Sequence, residues 1–141
     1  MEKENKNLSK FKFLEHMADI KFQAYGSTLK EVFENVVLAF SSYVSSEEKI
    51  ESRKGKTIEV SGKDNKSLLY NFIDEIIFLL DSENFIVAKA DILLRGNNLK
   101  AELYGDNAEK YNLKHVKATT CAEMHIKKIV NKWEIQVVLD V

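Results

Sequence analysis

An α+β domain, with a mainly antiparallel sheet packed against two helices, is the fold class this sequence predicts, and three observations carry it. Two stretches, Leu29 to Phe40 and Leu68 to Leu80, repeat apolar residues at helical spacing. Apolar and polar residues alternate through most of the remainder, above all after Asn84. The last four strand-like stretches are joined in pairs by short turn-forming tracts, and hairpin connections make neighbouring strands antiparallel. The expected order is β-α-β-α-β-β-β-β in a single domain.

Residues 1–10 are charged and polar, without the apolar run of a signal peptide, and are expected to form a flexible segment ahead of a domain spanning 11–141. Phe11 to Tyr25 reads as one or two extended segments broken near Glu15-His16. In the second, Ala18, Ile20, Phe22 and Ala24 face one way, and Asp19, Lys21 and Gln23 face the other. Gly26 ends it. Thr28 with Glu31 three residues on is a capping-box pattern opening a helix whose apolar stripe is Leu29, Val32, Phe33, Val36, Val37 and Phe40. A serine-rich stretch, Ser41 to Ser46, stops it. Glu47 to Lys54 reads as an exposed connection and Thr57 to Val60 as a short strand closed by Gly62. Asp64 caps the second helix, with a stripe of Leu68, Leu69, Phe72, Ile73, Ile76, Ile77 and Leu80. Phe78 and Leu79 extend its apolar surface, so its C-terminal end is expected to be buried on more than one side. Phe85 to Arg95 and Leu99 to Tyr104 flank the loop Gly96-Asn97-Asn98. Val116 to Lys127 and Lys132 to Asp140 flank Val130-Asn131.

Composition bounds the function. The chain has 141 residues, with 21 Lys plus Arg against 22 Asp plus Glu, a formal net charge of −1 and a pI near 6.3. Such a balance does not describe a protein that coats nucleic acid, so any RNA connection runs through a partner or a local patch; no DNA contact is expected. One cysteine, Cys121, rules out an internal disulfide and fits a reducing compartment. The longest apolar run, Ile76 to Leu80, is too short for a membrane span. A cytoplasmic protein is the expectation.

The candidate chemistry lies at the two ends of the chain. Asp19 and Asp140 each occupy the polar face of an otherwise strand-like run. If the first and last strands are neighbours, the two carboxylates converge into a small anionic site of the kind hard cations occupy. Val141 adds carboxylate and carbonyl oxygens beside Asp140, and an all-oxygen donor set suits Ca²⁺ or Mg²⁺ rather than zinc. The competing reading makes both aspartates ordinary solvent-facing acids. His16 is open to three roles, as ligand, proton carrier or structural donor. His115 and His125 lack a partner at zinc-ligand spacing. Cys121 has no obvious base on its strand and reads as a partly buried thiol. Strict alternation puts Lys117, Thr119, Cys121, Glu123 and His125 on one face, where Lys117 and Glu123 would join the aspartates in a mixed-charge patch or take part in plain cross-strand ion pairing. No phosphate-binding loop, Ser-His-Asp order or nucleophile elbow is present, so no self-contained active site is expected.

Taken together, Phe13-Leu14-Glu15-His16-Met17-Ala18-Asp19, Ala24-Tyr25-Gly26, Phe33-Glu34-Asn35, Leu68 to Phe72, Leu80-Asp81, Val116 to Thr120, Glu123-Met124, Trp133 and Val137 to Val141 resemble the archease family over nearly the whole chain from Phe13. Met17 stands where the family usually has threonine, and Cys121-Ala122 where it usually has Tyr-His, so no role is transferred to those two positions. The resemblance implies an accessory protein rather than an enzyme. It would activate an RtcB-type RNA ligase, which joins RNA ends in tRNA splicing and repair using GTP and a divalent metal, by promoting guanylylation and multiple turnover. It also implies Asp19, Asp140 and Val141 as metal-binding positions, with Ca²⁺ the ion indicated and Mg²⁺ or Mn²⁺ as substitutes. Lys117, with His16 and Glu15, is implied as an activation residue. RNA would be contacted through the ligase, and no membrane is involved. The alternative is a chaperone-like adaptor or binding module whose acidic site is structural; a metal-dependent hydrolase is a third class, disfavoured by the missing base and nucleophile.

Overall fold

A computed structural model describes residues 9–14 and 19–141. The described residues form β1 (Phe11–Leu14), β2 (Asp19–Gly26), α1 (Leu29–Val44), β3 (Lys54–Ser61), α2 (Asn65–Glu83), β4 (Phe85–Arg95), β5 (Asn98–Asn107), a 3-10 turn (Ala108–Lys110), β6 (Ala118–Ile129) and β7 (Lys132–Asp140). Most of the expected N-terminal segment, and both Glu15 and His16, lie outside the described residues.

Both helices begin as their sequences direct. The Thr28 hydroxyl accepts the N–H of Glu31 at 3.0 Å. The Glu31 carboxylate reaches one residue beyond the cap, accepting the Ser27 N–H at 2.7 Å and the Ser27 hydroxyl at 2.6 Å. At α2 the capping box is complete, with Asp64 accepting from Ser67 N–H and the Ser67 hydroxyl accepting from Asp64 N–H. Asn84, at φ 53°, closes α2 in the left-handed region. Each strand-to-helix junction is tight. A Cβ on Gly26 would lie 2.5 Å from the Val32 nitrogen, and one on Gly62 would lie 2.5 Å from the Leu68 nitrogen, so neither position admits a side chain without a shift.

All strand neighbours are antiparallel, as expected, but the strands divide between two sheets, ordered β1-β2-β7-β6 and β3-β5-β4. Each sheet is a C-terminal hairpin extended by strand from the N-terminal half. β2, carrying β1, adds to the β6–β7 hairpin, and β3 adds to the β4–β5 hairpin. The helices join the two sheets. α1 packs on β2 and β4, α2 packs on β6, β4 and β3, and Phe33 stacks on Phe72 with ring centroids 6.1 Å apart. Both apolar stripes enter one core. The C-terminal end of α2 is less enclosed than its sequence implies: Leu79 is buried, but Phe78 is half exposed because it falls on the outer side of the helix. Both hairpins turn where expected, through Gly96–Asn97 and Val130–Asn131, with Gly96 at φ 60° and Val130 at φ 51°.

Candidate functional site

β2 and β7 are neighbours, and their register sets Asp19 directly opposite Asp140. Ile20 with Leu139 and Phe22 with Val137 form the next core-facing pairs, so alternation turns both aspartates to the outer face of the sheet. Directly opposed residues in an antiparallel pair have Cβ atoms about 4.5–5.5 Å apart, and like charges at that spacing repel. A cation shared between the carboxylates reverses the sign of that interaction. Ala118 on β6 pairs with Asp140 from the other side, and Lys117, immediately before it, donates its main-chain N–H to the Asp140 carbonyl at 2.8 Å. The fold therefore brings Asp19, Asp140, Val141 and Lys117 to one end of one sheet, with the Lys117 side chain exposed.

The donor chemistry suits a hard cation. The two carboxylates and the main-chain oxygen of Val141 are oxygen donors, whereas no group of three or more His, Cys, Asp or Glu side chains among the described residues could hold a metal ion. A Ca²⁺ or Mg²⁺ ion held here would complete its coordination with water.

The next rows of the same face form a polar network that alternation alone did not reveal. Lys21 donates to the Glu123 carboxylate at 2.6 Å, reaching from β2 across β7 to β6. Gln23 donates to Gln136 at 2.9 Å, and Gln136 donates to the Glu123 carbonyl at 2.7 Å. Tyr25 donates to Gln23 at 2.8 Å. Burial and the nearby Glu134 charge push the Tyr25 hydroxyl up to about 12, so it stays protonated and a donor. His125 pairs with Glu134 at 2.9 Å.

This network depends on an irregularity in β6. Thr120 pairs with Val138, but the next pair is His125 with Gln136, so Cys121 to Met124 form a bulge between them, with Cys121 to Glu123 exposed, Met124 turned into the core and Glu123 at φ 59°. The extra residues reset the alternation. Thr119 pairs with core-facing Leu139 and is buried, whereas Ala118 and Thr120 face outward. The single face expected for Lys117, Thr119, Cys121, Glu123 and His125 is thus broken. Glu123 forms a cross-strand ion pair with Lys21, and Cys121, expected to be partly buried, is exposed because it lies in the bulge. Val138, paired with Lys21 on one side and Thr120 on the other, is buried although it faces away from the core. Beside it, the Thr119 and Thr120 hydroxyls have no hydrogen-bond partner among the described residues. The available signals were Lys21 sharing the parity of Asp19 and the interrupted apolar alternation at Cys121 to Met124; neither specifies a contact across an intervening strand.

An open cleft beside this end of the sheet is lined by Phe13, Ile20, Lys21, Tyr43 and Lys114. A groove on the outer face of the other sheet, lined by Glu59, Leu93, Arg95 and Lys100, lies away from the carboxylates.

Comparison with known proteins places this chain in a family. The model of the Archease protein family matches residues 11–141. Protein archease of Pyrobaculum islandicum is 38% identical over 139 residues, covering 93% of this chain and 95% of that protein. Protein archease of Pyrococcus abyssi is 34% identical over 142 residues, covering 95% and 100%. The solution structure of protein 1598 of Methanobacterium thermoautotrophicum superposes with a TM-score of 0.77 at 28% identity, covering 94% of this chain and 99% of that one.

Proposed function

The chain belongs to the archease family, and from that premise we propose that it is a cation-binding accessory protein that activates an RtcB-type, GTP-dependent RNA ligase. The observation that carries this reading is the direct cross-strand opposition of Asp19 and Asp140, with the Lys117 backbone tied to the Asp140 carbonyl. Asp19, Asp140 and the Val141 main-chain oxygen would hold the cation. When bound, it would supply positive charge to neutralise phosphate oxygens as guanylate is transferred.

The remaining work falls to positioning. The two carboxylates sit at the last register pair of β2 and β7, at the end of the sheet, where a ligase pocket can receive them. Lys117 stands one residue outside β6 with an exposed side chain, suited to a phosphate or to an acidic group on the ligase.

The test is ligation of RNA ends by the cognate ligase at limiting enzyme, with GTP and Mn²⁺. Wild type should permit multiple turnover; Asp19→Ala, Asp140→Ala and Lys117→Ala should each reduce it at least tenfold while remaining folded. Activation that survives both aspartate substitutions would favour the adaptor alternative, with a structural acidic site. Phosphate-ester turnover by this chain alone would instead revive a hydrolase.

A further inference from the structure

The tip of the β6–β7 hairpin combines features that stability does not explain. β2 ends at Gly26 opposite Trp133, so the Ile129–Lys132 pair and the turn beyond it overhang the end of that strand. Val130 occupies the first central position of the turn at φ 51°, a place suited to glycine or asparagine and costly for a β-branched side chain. It is also 85% exposed, and Ile129 beside it is exposed too. The side chain therefore gains nothing within the fold to offset its conformation, the circumstance in which strain points to function.

The charge at this tip runs against that of the molecule. The chain carries a net charge of −1, yet Ile126 to Trp133 contains Lys127, Lys128 and Lys132 and no carboxylate. All three lysines are exposed. Lys132 lies 4.6 Å from the Tyr25 ring centroid, and Lys128 lies 5.8 Å from that of Trp133. Aromatic faces hold these ammonium groups without neutralising them, so they remain available to anions. The acid paired across from Lys127 is Glu134, which is engaged by His125 at 2.9 Å.

We propose that this hairpin tip is a contact surface for the RNA phosphate backbone, at the opposite end of β7 from the carboxylate pair. The choice of RNA as the anion rests on the ligase-activator reading above. Clustered, unneutralised lysines are the electrostatic footprint of nucleic-acid binding, whereas lysine is depleted at protein–protein interfaces. Two apolar residues are too few to anchor a protein in a bilayer, but Ile129 and Val130 can lie against sugar and base faces between the phosphate contacts. β7 runs from Lys132 to Asp140, so the tip and the carboxylates stand roughly 27 Å apart at strand rise. The tip therefore holds RNA flanking the ends being joined while the carboxylates address the ligase.

The experiment is fluorescence anisotropy of a labelled single-stranded RNA 20-mer with the full chain and no ligase, across a potassium chloride series. Three lysine–phosphate contacts predict a log–log salt slope of about −2. The variant combining Lys127→Ala, Lys128→Ala and Lys132→Ala should weaken binding at least tenfold and flatten the slope. Lys132→Gln alone, a milder change that protects the test against misfolding, should weaken it two- to fivefold. Lys54→Ala with Lys56→Ala, on the other sheet, should leave binding unchanged. No measurable RNA binding, equal binding by the tip variants, or tighter binding to phosphatidylserine vesicles than to RNA would overturn the proposal. Because no ligase is present, such a failure leaves ligase activation untouched, and a failed ligation assay leaves this binding untouched.

Discussion

At the scale of single residues, Asp106 shows how a buried carboxylate is tolerated away from the site. Its burial pushes the carboxyl up, but the Asn107 N–H and the Tyr111 hydroxyl, each at 2.8 Å, together with Lys110 and Arg53, outweigh this and hold it below the ordinary carboxylate range. A lowered folded value means that the stabilisation is fully present above the unfolded carboxyl range, about pH 4, and is lost as pH falls through the folded value. Asp106→Asn should therefore lower the thermal midpoint at neutral pH by at least ~3 °C, with the gap to wild type closing as the pH is taken down through the acid range. Scanning calorimetry across that pH range checks it; a pH-independent gap would contradict the account. Beside it, a Cβ on Gly105 would lie 2.0 Å from the Ile86 carbonyl oxygen, so Gly105→Ala should cost about 3 kcal/mol in urea denaturation. Neither residue stood out in the sequence, because crowding at Gly105 arises from the pairing of β4 with β5, and the partners of Asp106 come from the end of β5, the segment that follows it and Arg53. Asp19 and Asp140 were legible by contrast, since each breaks an apolar run at a readable parity.

At the scale of elements, local chemistry decides the helices and long-range pairing decides the strands. Thr28→Ala removes the cap of α1 and should cost about 1 kcal/mol, read from a chemical denaturation midpoint. Val130→Asn relieves a β-branched residue from the left-handed region and should stabilise the chain by about 1 kcal/mol in the same measurement. Caps, stripes and hairpin turns were legible because each is set by residues within a few positions of one another. The β6 bulge was not, since one residue of β7 faces four of β6 only once the strands have paired, and alternation read along Lys117 to His125 then reverses partway. The Lys21–Glu123 pair, which spans an intervening strand, was hidden for the same reason.

For the whole molecule, a single α+β domain was evident from the sequence, but its division into two sheets was not. Hairpins fix which C-terminal strands pair, while nothing local tells β2 and β3 which hairpin to join. Helices packed on both sheets should make unfolding cooperative. Phe72, fully buried and stacked on Phe33, is the test: Phe72→Ala should cost about 3–5 kcal/mol and shift fluorescence and circular dichroism transitions together. The same assembly gives the carboxylate pair its geometry, because Asp19 and Asp140 are 121 positions apart in sequence and meet only through the β2–β7 register. The central claim is that this pair holds a cation, and the most direct measurement is calorimetric titration of Ca²⁺ into wild type, Asp19→Asn and Asp140→Asn. One saturable site in wild type, weakened at least tenfold by either substitution, is the result the account predicts. No binding by wild type, or equal affinity in all three proteins, would contradict it.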